Sequence, residues 1–479
     1  MRLPRSFRLF IIGIYIVLIP SGCKKLVGVN PPVTTISSAN VYSSDATAAA
    51  VLTGIYTQMS GASLTASTSI TSMSFFPELS ADNLGLLTSL AAPSWIAYYT
   101  NNLTNANGDF WNIIYPDVFV VNSALQGITN STTLTAAVKQ QLIGEAKFIR
   151  AFYYFYLVNL YGAVPLVTGT DYTVNASLPR TSEIQVWQQI IQDLKDAQGL
   201  LSPNYLDATL QSTTSARVRP TSWAATALLA RVYLYTDSFA NAVTQATNVI
   251  NNLTLYSLST LNNTFLANST EAIWQLQPVN AGQNTEDALA YIIPPTGPGV
   301  SYPFYLSNNL LNSFEAGDQR RLNWVDSVIV GNLTYYYPFK YKVDSIGAPV
   351  TEYSMVLRLG EVYLIRAEAE AEGAGGGLGT ATDDLNMIRN RAGLPNYAGA
   401  MDQPSVIAAI MHERQVELFT EWGHRWLDLK RTGSIDSVMG SPGNACANKG
   451  GLWSSNWQWY PLPLSDLQGD PQLLQNAGY

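Results

Sequence analysis

Chemistry that turns on histidine has almost nowhere to sit in this sequence. His412 and His424 are the whole supply in 479 residues, and both fall within one charged helical stretch. A three-histidine zinc centre is therefore impossible, and a Cys/His structural site lacks ligands. A Ser-His-Asp triad would have to recruit one of these two, and neither stands near a G-x-S-x-G elbow. No G-x-G-x-x-G or Walker loop occurs in a strand-to-helix context, so neither a cofactor nor a metal is expected. The best pair of carboxylates is Glu78 and Asp82, at i and i+4 in an irregular stretch beside aromatic residues. They could converge as the two acids of a glycoside hydrolase. Asp82-Asn83 reads better as acceptors for ligand hydroxyls or as a turn cap.

The two cysteines have separate roles. Arg2, Arg5 and Arg8 form a positive head and Leu9 to Ile19 an apolar run, long enough for an export signal and too short to span a bilayer. Ser21-Gly22-Cys23 then places small residues directly before a thiol that can carry lipid. Residues 1–22 read as a lipoprotein signal and Cys23 as the acylated mature N-terminus, with stable anchoring requiring more than one chain. Even FYYFYLVNLYGAVPLV breaks at Asn159, Gly162 and Pro165, so membrane contact is expected through lipid alone. Cys446 is left without a partner, which excludes a disulfide framework. Charged residues are 13% of the chain, about half the usual share. A net charge of −8 and the lack of a Lys/Arg cluster after the signal argue against nucleic acid.

Several segments carry the 3.6-residue apolar period of helices. In SEIQVWQQIIQDLKDAQGLL the set Ile184, Trp187, Ile190, Ile191, Leu194, Ala197 and Leu201 forms one stripe behind a Ser182 cap. KQQLIGEAKFIRAFYYFYLVNLYG precedes it, with Gly162 and Pro165 as its stop. In TSWAATALLARVYLYTDSFANAVTQATNVI, Leu229-Ala230, Tyr233, Ala242 and Ala246 match the tetratricopeptide pattern, in which small residues let two antiparallel helices approach. MVLRLGEVYLIRAEAEAEG with ATDDLNMIRNRAG, and VLTGIYTQMS with FWNIIYPDVFVVNSALQGI, supply two more pairs. The predicted fold is mainly α: about four helical hairpins in a tetratricopeptide-like scaffold, with long irregular loops and a few short strands. The scaffold spans about 40–255 and 355–430 of a single domain, 23–479, and about 255–355 form a loop-rich excursion. That excursion and SFFPELSADNLGLLTSLAAPSWIAYYTNN are the expected working surface.

Six segments, in order, resemble the SusD-like (RagB/SusD) nutrient-uptake outer-membrane lipoproteins. They are the lipoprotein cysteine with its Pro-containing lead, GEAKFIRAFYYFYLVNLYGAVPLV, RLGEVYLIRAEAEAEG, LNMIRNRAGL, ERQVELFTEWGHRWLDLKRTG and YPLPLSDLQGDPQLLQNAGY. Gln319, Asp470 and Ala477 depart from residues frequent in the family. The resemblance implies a lipid-anchored outer-membrane protein, facing the cell exterior, that binds glycan and delivers it to a SusC-like TonB-dependent transporter without catalysis. Some relatives take peptides, so peptide capture is the alternative, and glycoside hydrolysis a more remote one.

A sugar presents an apolar face and a rim of hydroxyls, which calls for flat aromatic surface with polar neighbours. Trp95, Tyr98, Tyr99 and Asn101, with Asp82 and Asn83, and facing them Tyr291, Tyr302 and Tyr305, have this composition. Trp187, Trp223, Trp274, Trp422 and Trp426 read as core, whereas Trp453, Trp457 and Trp459 suit either a surface or a clamp on the C-terminal tail. Glu413, Arg414, Glu417, Arg425, Asp428 and Arg431 read as an internal ion-pair network. Asp326-Ser327-Val328, Asp344-Ser345-Ile346 and Asp436-Ser437-Val438 resemble Asp-Ser/Thr-aliphatic O-glycosylation sites of exported proteins in bacteria with this family.

Overall fold

The apolar stripes become helices that stack hairpin on hairpin. In the computed structural model, which describes residues 38–440 and 444–479, α1 (Asp45–Gly61) precedes two short helices, α2 (Phe76–Ser80) and α3 (Pro93–Tyr99). Then come α4 (Asp109–Asn130), α5 (Ala136–Tyr161), α6 (Glu183–Leu200), α7 (Ser222–Tyr235) and α8 (Phe239–Ile250), with α5 to α8 each packed on the helix before it. After the irregular part of the chain, α11 (Leu359–Ala371) returns to pack on α8 and receives α12 (Gly377–Arg391) and α13 (Gln403–Leu418). Residues Tyr42–Tyr479 form one compact unit. Residues 1–22, expected to be a lipoprotein signal, and Cys23, the expected acylation site, lie outside the described residues. No helix among the described residues is long and apolar enough to cross a membrane.

Sequence explains the packing locally. Helix α5 is apolar nearly all round from Phe148 to Tyr161 and is accordingly buried on nearly all sides. It stops at Gly162, whose φ of 73° suits glycine. Ala230, Ala242 and Ala246 are fully buried between α7 and α8, where small side chains permit close approach; this is compatible with the tetratricopeptide-like pairing. One position of the expected α6 stripe differs: Ile184 is exposed, while Val186 and Asp193 are buried, the latter held by Arg150.

Among the described residues, three two-stranded antiparallel sheets accompany the helices: β1 (Leu84–Leu86) with β3 (Phe304–Leu306), β2 (Ala272–Leu276) with β6 (Ser354–Arg358), and β4 (Val325–Val330) with β5 (Leu333–Pro338). The stretch expected as a loop-rich excursion thus sends β2 into the core. Every residue of β2 is buried, and Trp274 is enclosed by Tyr56, Phe148 and Phe152. The strand's one polar side chain, Gln275, is satisfied there: it accepts from the Asn268 N–H at 2.8 Å and donates to the Leu266 carbonyl at 3.0 Å.

Helix α13 anchors a buried ionic cluster. Its Glu417 meets Arg358 at 2.6 Å, Arg320 at 3.0 Å and Arg391; Arg320 comes from the short helix α10 (Gln319–Asn323). Glu271 bridges Arg358 and Arg391 at 3.0 and 2.8 Å, and Glu421 holds Arg358 at 2.7 Å. Gly360 makes room for the cluster: a Cβ there would stand 2.5 Å from Arg358 Nη1 and 2.8 Å from Glu271 Oε1. The arginines around Glu417 overcome its burial and hold its carboxyl well below the usual range. Near the expected ligand side, Glu78 is fully buried and accepts from Asn83 Nδ2 at 2.8 Å, which pins the turn from α2 to β1. Burial pushes Glu78 up to about 7 despite that hydrogen bond.

Two outcomes are expected. Glu417→Ala leaves three buried guanidinium groups around a vacated anion and should lower the unfolding free energy in denaturant titration by about 3–5 kcal/mol. Glu315→Ala, at a partly exposed partner of Arg389, should lower it by about 1 kcal/mol or less; equal effects would contradict the central role of Glu417. A carboxyl raised by folding weakens the fold only once it must ionise. The penalty from Glu78 is therefore absent below its ordinary value of 4.5 and complete above about 7. Glu78→Gln should raise the melting temperature relative to the parent more at alkaline than at acid pH, by an amount equivalent to on the order of 3 kcal/mol.

Candidate functional site

A cleft forms where α2, α3 and the β1–β3 pair meet the segment after β3. The pairing sets Gly85 opposite Tyr305. Strand alternation turns Phe304 and Leu306 into the core and leaves Tyr305 half-exposed. The Tyr305 ring lies across Gly85, where a Cβ would stand 2.6 Å from Tyr305 Cε2. Only a residue without a side chain lets the ring lie there. Tyr335 of β5 meets it edge-on, with centroids 5.6 Å apart at 74°. The opening, of about 250 Å³, is lined by Asp82, Leu84, Gly85 and Tyr99, by Tyr305 to Asn309, and by Ala445, Asn448 and Lys449. Leu306 is the exception within that run, since it points inward.

The charges of the cleft are already engaged. Asp82 accepts from Nε and Nη2 of Arg425 at 2.7 Å each; Arg425 belongs to α14 (His424–Arg431). Lys449 Nζ donates to the carbonyls of Leu79, Ser80 and Ala81 at 2.8, 3.0 and 2.7 Å, at the C-terminal end of α2 where a cation suits the helix dipole. Its burial lowers its pKa to about 7. Lys449 also stands 5.1 Å from the Tyr99 ring centroid. Burial raises the Tyr99 hydroxyl to about 12 and pushes Tyr305 upward, so both stay protonated near neutral pH. Ser307 caps α9 (Asn308–Ser313) and donates to the Asp82 carbonyl, so Asn308 and Asn309 stand at the rim on a fixed turn.

Of the nine ligand residues expected from the sequence, the structure brings Asp82, Tyr99 and Tyr305 together. The others stand elsewhere. Tyr98 is fully buried against Phe76 and donates to Asp109 at 2.9 Å. Tyr291 is buried against Phe75 and Phe304 with its hydroxyl on the Ser74 carbonyl. Trp95 is half-buried, edge-on to Phe75 and Phe304, and its Nε1 donates to the Thr65 carbonyl at 3.1 Å. Trp95 and Tyr291 thus pack beneath β3 through Phe304, and Tyr98 packs between Phe76 and Tyr460. Asn83 is buried on Glu78, and Asn101, with φ of 54°, is buried and donates to the Ser80 carbonyl. Tyr302 is half-exposed in a turn outside the cleft lining.

Glu78 and Asp82 do not form a presented acid pair, because the first is sealed in the core and the second is held by Arg425. Glu315, His412 and Glu413 gather within 4.8 Å of one another. Arg389 pairs with both carboxylates, Arg320 with Glu413 at 2.6 Å, and His412 Nε2 stands 2.7 Å from the Ser313 carbonyl, so the donors are already engaged. Trp453 donates to Asp436, while Trp457 and Trp459 lie against the C-terminal tail. Ser327, Ser345 and Ser437 of the three Asp-Ser-aliphatic triplets are exposed. A second concavity, of about 520 Å³, lies between α4 and the C-terminal segment and is walled by Trp111, Tyr115, Phe119 and Tyr172.

Sequence reasoning missed Ser307, Asn308, Asn309 and Lys449. Ser307 followed by two asparagines after an apolar strand is an N-cap signal that could have marked the rim. Nothing local indicates that Lys449 reaches a helix end some 370 positions earlier.

Two family models match the chain: the SusD family over residues 325–479, and a family described as starch-binding and associating with the outer membrane over residues 37–234. SusD-like protein P2 of Formosa agariphila is 26% identical over 428 residues, covering 77% of this chain and 80% of that one. A SusD superfamily protein from Bacteroides vulgatus superposes with a TM-score of 0.77 at 21% identity, covering 91% of this chain and 99% of that chain. A laminarin-binding SusD-like protein superposes with a TM-score of 0.72 at 24% identity, covering 90% and 99%. Both structural matches show the same mainly helical fold. Matched in both its N-terminal helical part and its C-terminal third, the chain belongs to the SusD-like (RagB/SusD) family.

Proposed function

We propose that this chain is a non-enzymatic glycan-capture protein of the outer membrane, that it holds sugar in the cleft over Tyr305, and that it passes its ligand to a SusC-like TonB-dependent transporter. The observation that carries the reading is the juxtaposition of the Tyr305 ring with Tyr99, Asn308 and Asn309 in one opening. An aromatic face packs on the C–H face of a sugar while amides and hydroxyls meet its rim. The laminarin-binding relative and the starch-binding family description support carbohydrate as the ligand class. The family's outer-membrane association and the lipoprotein-type N-terminus support the location.

Retention of the purified chain in gels containing plant, fungal or host polysaccharides tests this, with release of soluble products followed in parallel. Binding without product release is expected. Tyr305→Ala should weaken binding by about tenfold or more with little change in melting temperature, since the ring is half-exposed. Gly85→Ala should weaken binding as well, by displacing the same ring. Product release would overturn the non-enzymatic reading, and binding of peptides in place of glycans would overturn the ligand class.

A further inference from the structure

Among the described residues, the cleft has aromatic surface and hydrogen-bonding groups but no cation left for a ligand. Lys449 carries three N–H donors, and all three are directed at the carbonyls of Leu79, Ser80 and Ala81. Arg425 is spread bidentately on Asp82 and does not line the opening. Arg321, near the adjoining β4–β5 hairpin, is stacked 4.4 Å from the Tyr336 ring. Strand alternation puts Tyr336 on the face opposite Tyr335, the residue that meets Tyr305.

The groups that remain open are uncharged. The side-chain amides of Asn308 and Asn309 are exposed and engage no other group among the described residues. The Tyr305 hydroxyl stands beside them in the same lining. An amide offers two donors and an acceptor, which matches neighbouring sugar hydroxyls. A carboxylate or sulfate instead needs a charged donor to replace its hydration, and charge-assisted bonds are the strong ones in such recognition. Asp82 in the lining is already matched by Arg425 and adds no attraction for an anion, and a chain net charge of −8 adds unfavourable long-range potential.

We propose that this cleft is selective for neutral sugar units bearing only hydroxyls, and that it rejects uronate and sulfated units. The inference rests on the reading of the cleft as the glycan site.

Calorimetry of the purified chain tests it with three classes of size-matched probe: neutral oligosaccharides from β-glucan, α-glucan and mannan, an oligogalacturonate, and a sulfated galactan oligosaccharide. The parent, Tyr305→Ala and Asn309→Arg are compared. A neutral probe should bind the parent at least about tenfold more tightly than either anionic probe, and Tyr305→Ala should remove that binding. Asn309→Arg, an exposed change that adds a guanidinium to the rim, should strengthen oligogalacturonate binding by about tenfold at low salt and lose most of the gain at high salt. Anionic binding to the parent at equal or greater strength, removed by Tyr305→Ala, would overturn the selectivity while leaving the site in place. So would Asn309→Arg without a gain. Binding indifferent to Tyr305→Ala, or no binding by any probe, would instead overturn the reading of the cleft itself.

Discussion

Glu417 is the residue on which the arrangement of the molecule depends. One carboxylate at the end of α13 collects guanidinium groups from three separate parts of the chain: Arg320 before the β4–β5 hairpin, Arg358 at the end of β6, and Arg391 at the end of α12. All of these groups are buried or nearly so, in a chain where only 13% of residues are charged. A buried charge is tolerated only when paired and hydrogen-bonded. The cluster therefore restricts how the irregular middle of the chain can return to the helical stack, because a displaced strand would strand its arginine in the core. Apolar packing supplies most of the stabilisation, and the ionic cluster selects one arrangement among those the apolar residues would allow.

The same device reaches the cleft. Helix α14 follows α13 through a turn in which Thr420 and Trp422 have positive φ and Gly423 packs closely on Met73 and Pro77. It then directs Asp428 to Arg414 and Arg431, and Arg425 to Asp82. Arg425 fixes the turn between α2 and β1, Lys449 fixes the end of α2, and Gly85 admits the ring of Tyr305. The charged side chains around the opening thus position backbone, and two tyrosine rings and several neutral polar groups are left to face it. This division of labour links a low overall content of charge to a cleft without an open cation among the described residues.

The helical scaffold was legible because its signals are periodic and local. The α6 stripe, the all-round apolar α5 with its Gly162 stop, and the alanines between α7 and α8 each state their environment within a few turns of sequence. The site was legible only as composition. Tyr98 and Tyr99 are adjacent and chemically identical, yet successive helical residues point about 100° apart, so one enters the core and the other faces the cleft. Trp95 and Tyr291 have the composition expected of a platform, but they pack beneath it because β1 and β3 need apolar cover. Strand alternation separates Phe304 from Tyr305 in the same way. Lys449 reaches the cleft, and Arg425 reaches Asp82 behind it, from positions hundreds of residues away, and no pattern in their neighbourhoods records those contacts.

The most direct measurement is a crystal structure of this chain with a neutral oligosaccharide that binds it. A sugar ring stacked on Tyr305, with its hydroxyls within hydrogen-bond distance of Asn308 or Asn309 and no product bond broken, is the predicted result. A ligand seated instead against Trp111, Phe119 and Tyr172, or one cleaved in the crystal, would contradict it.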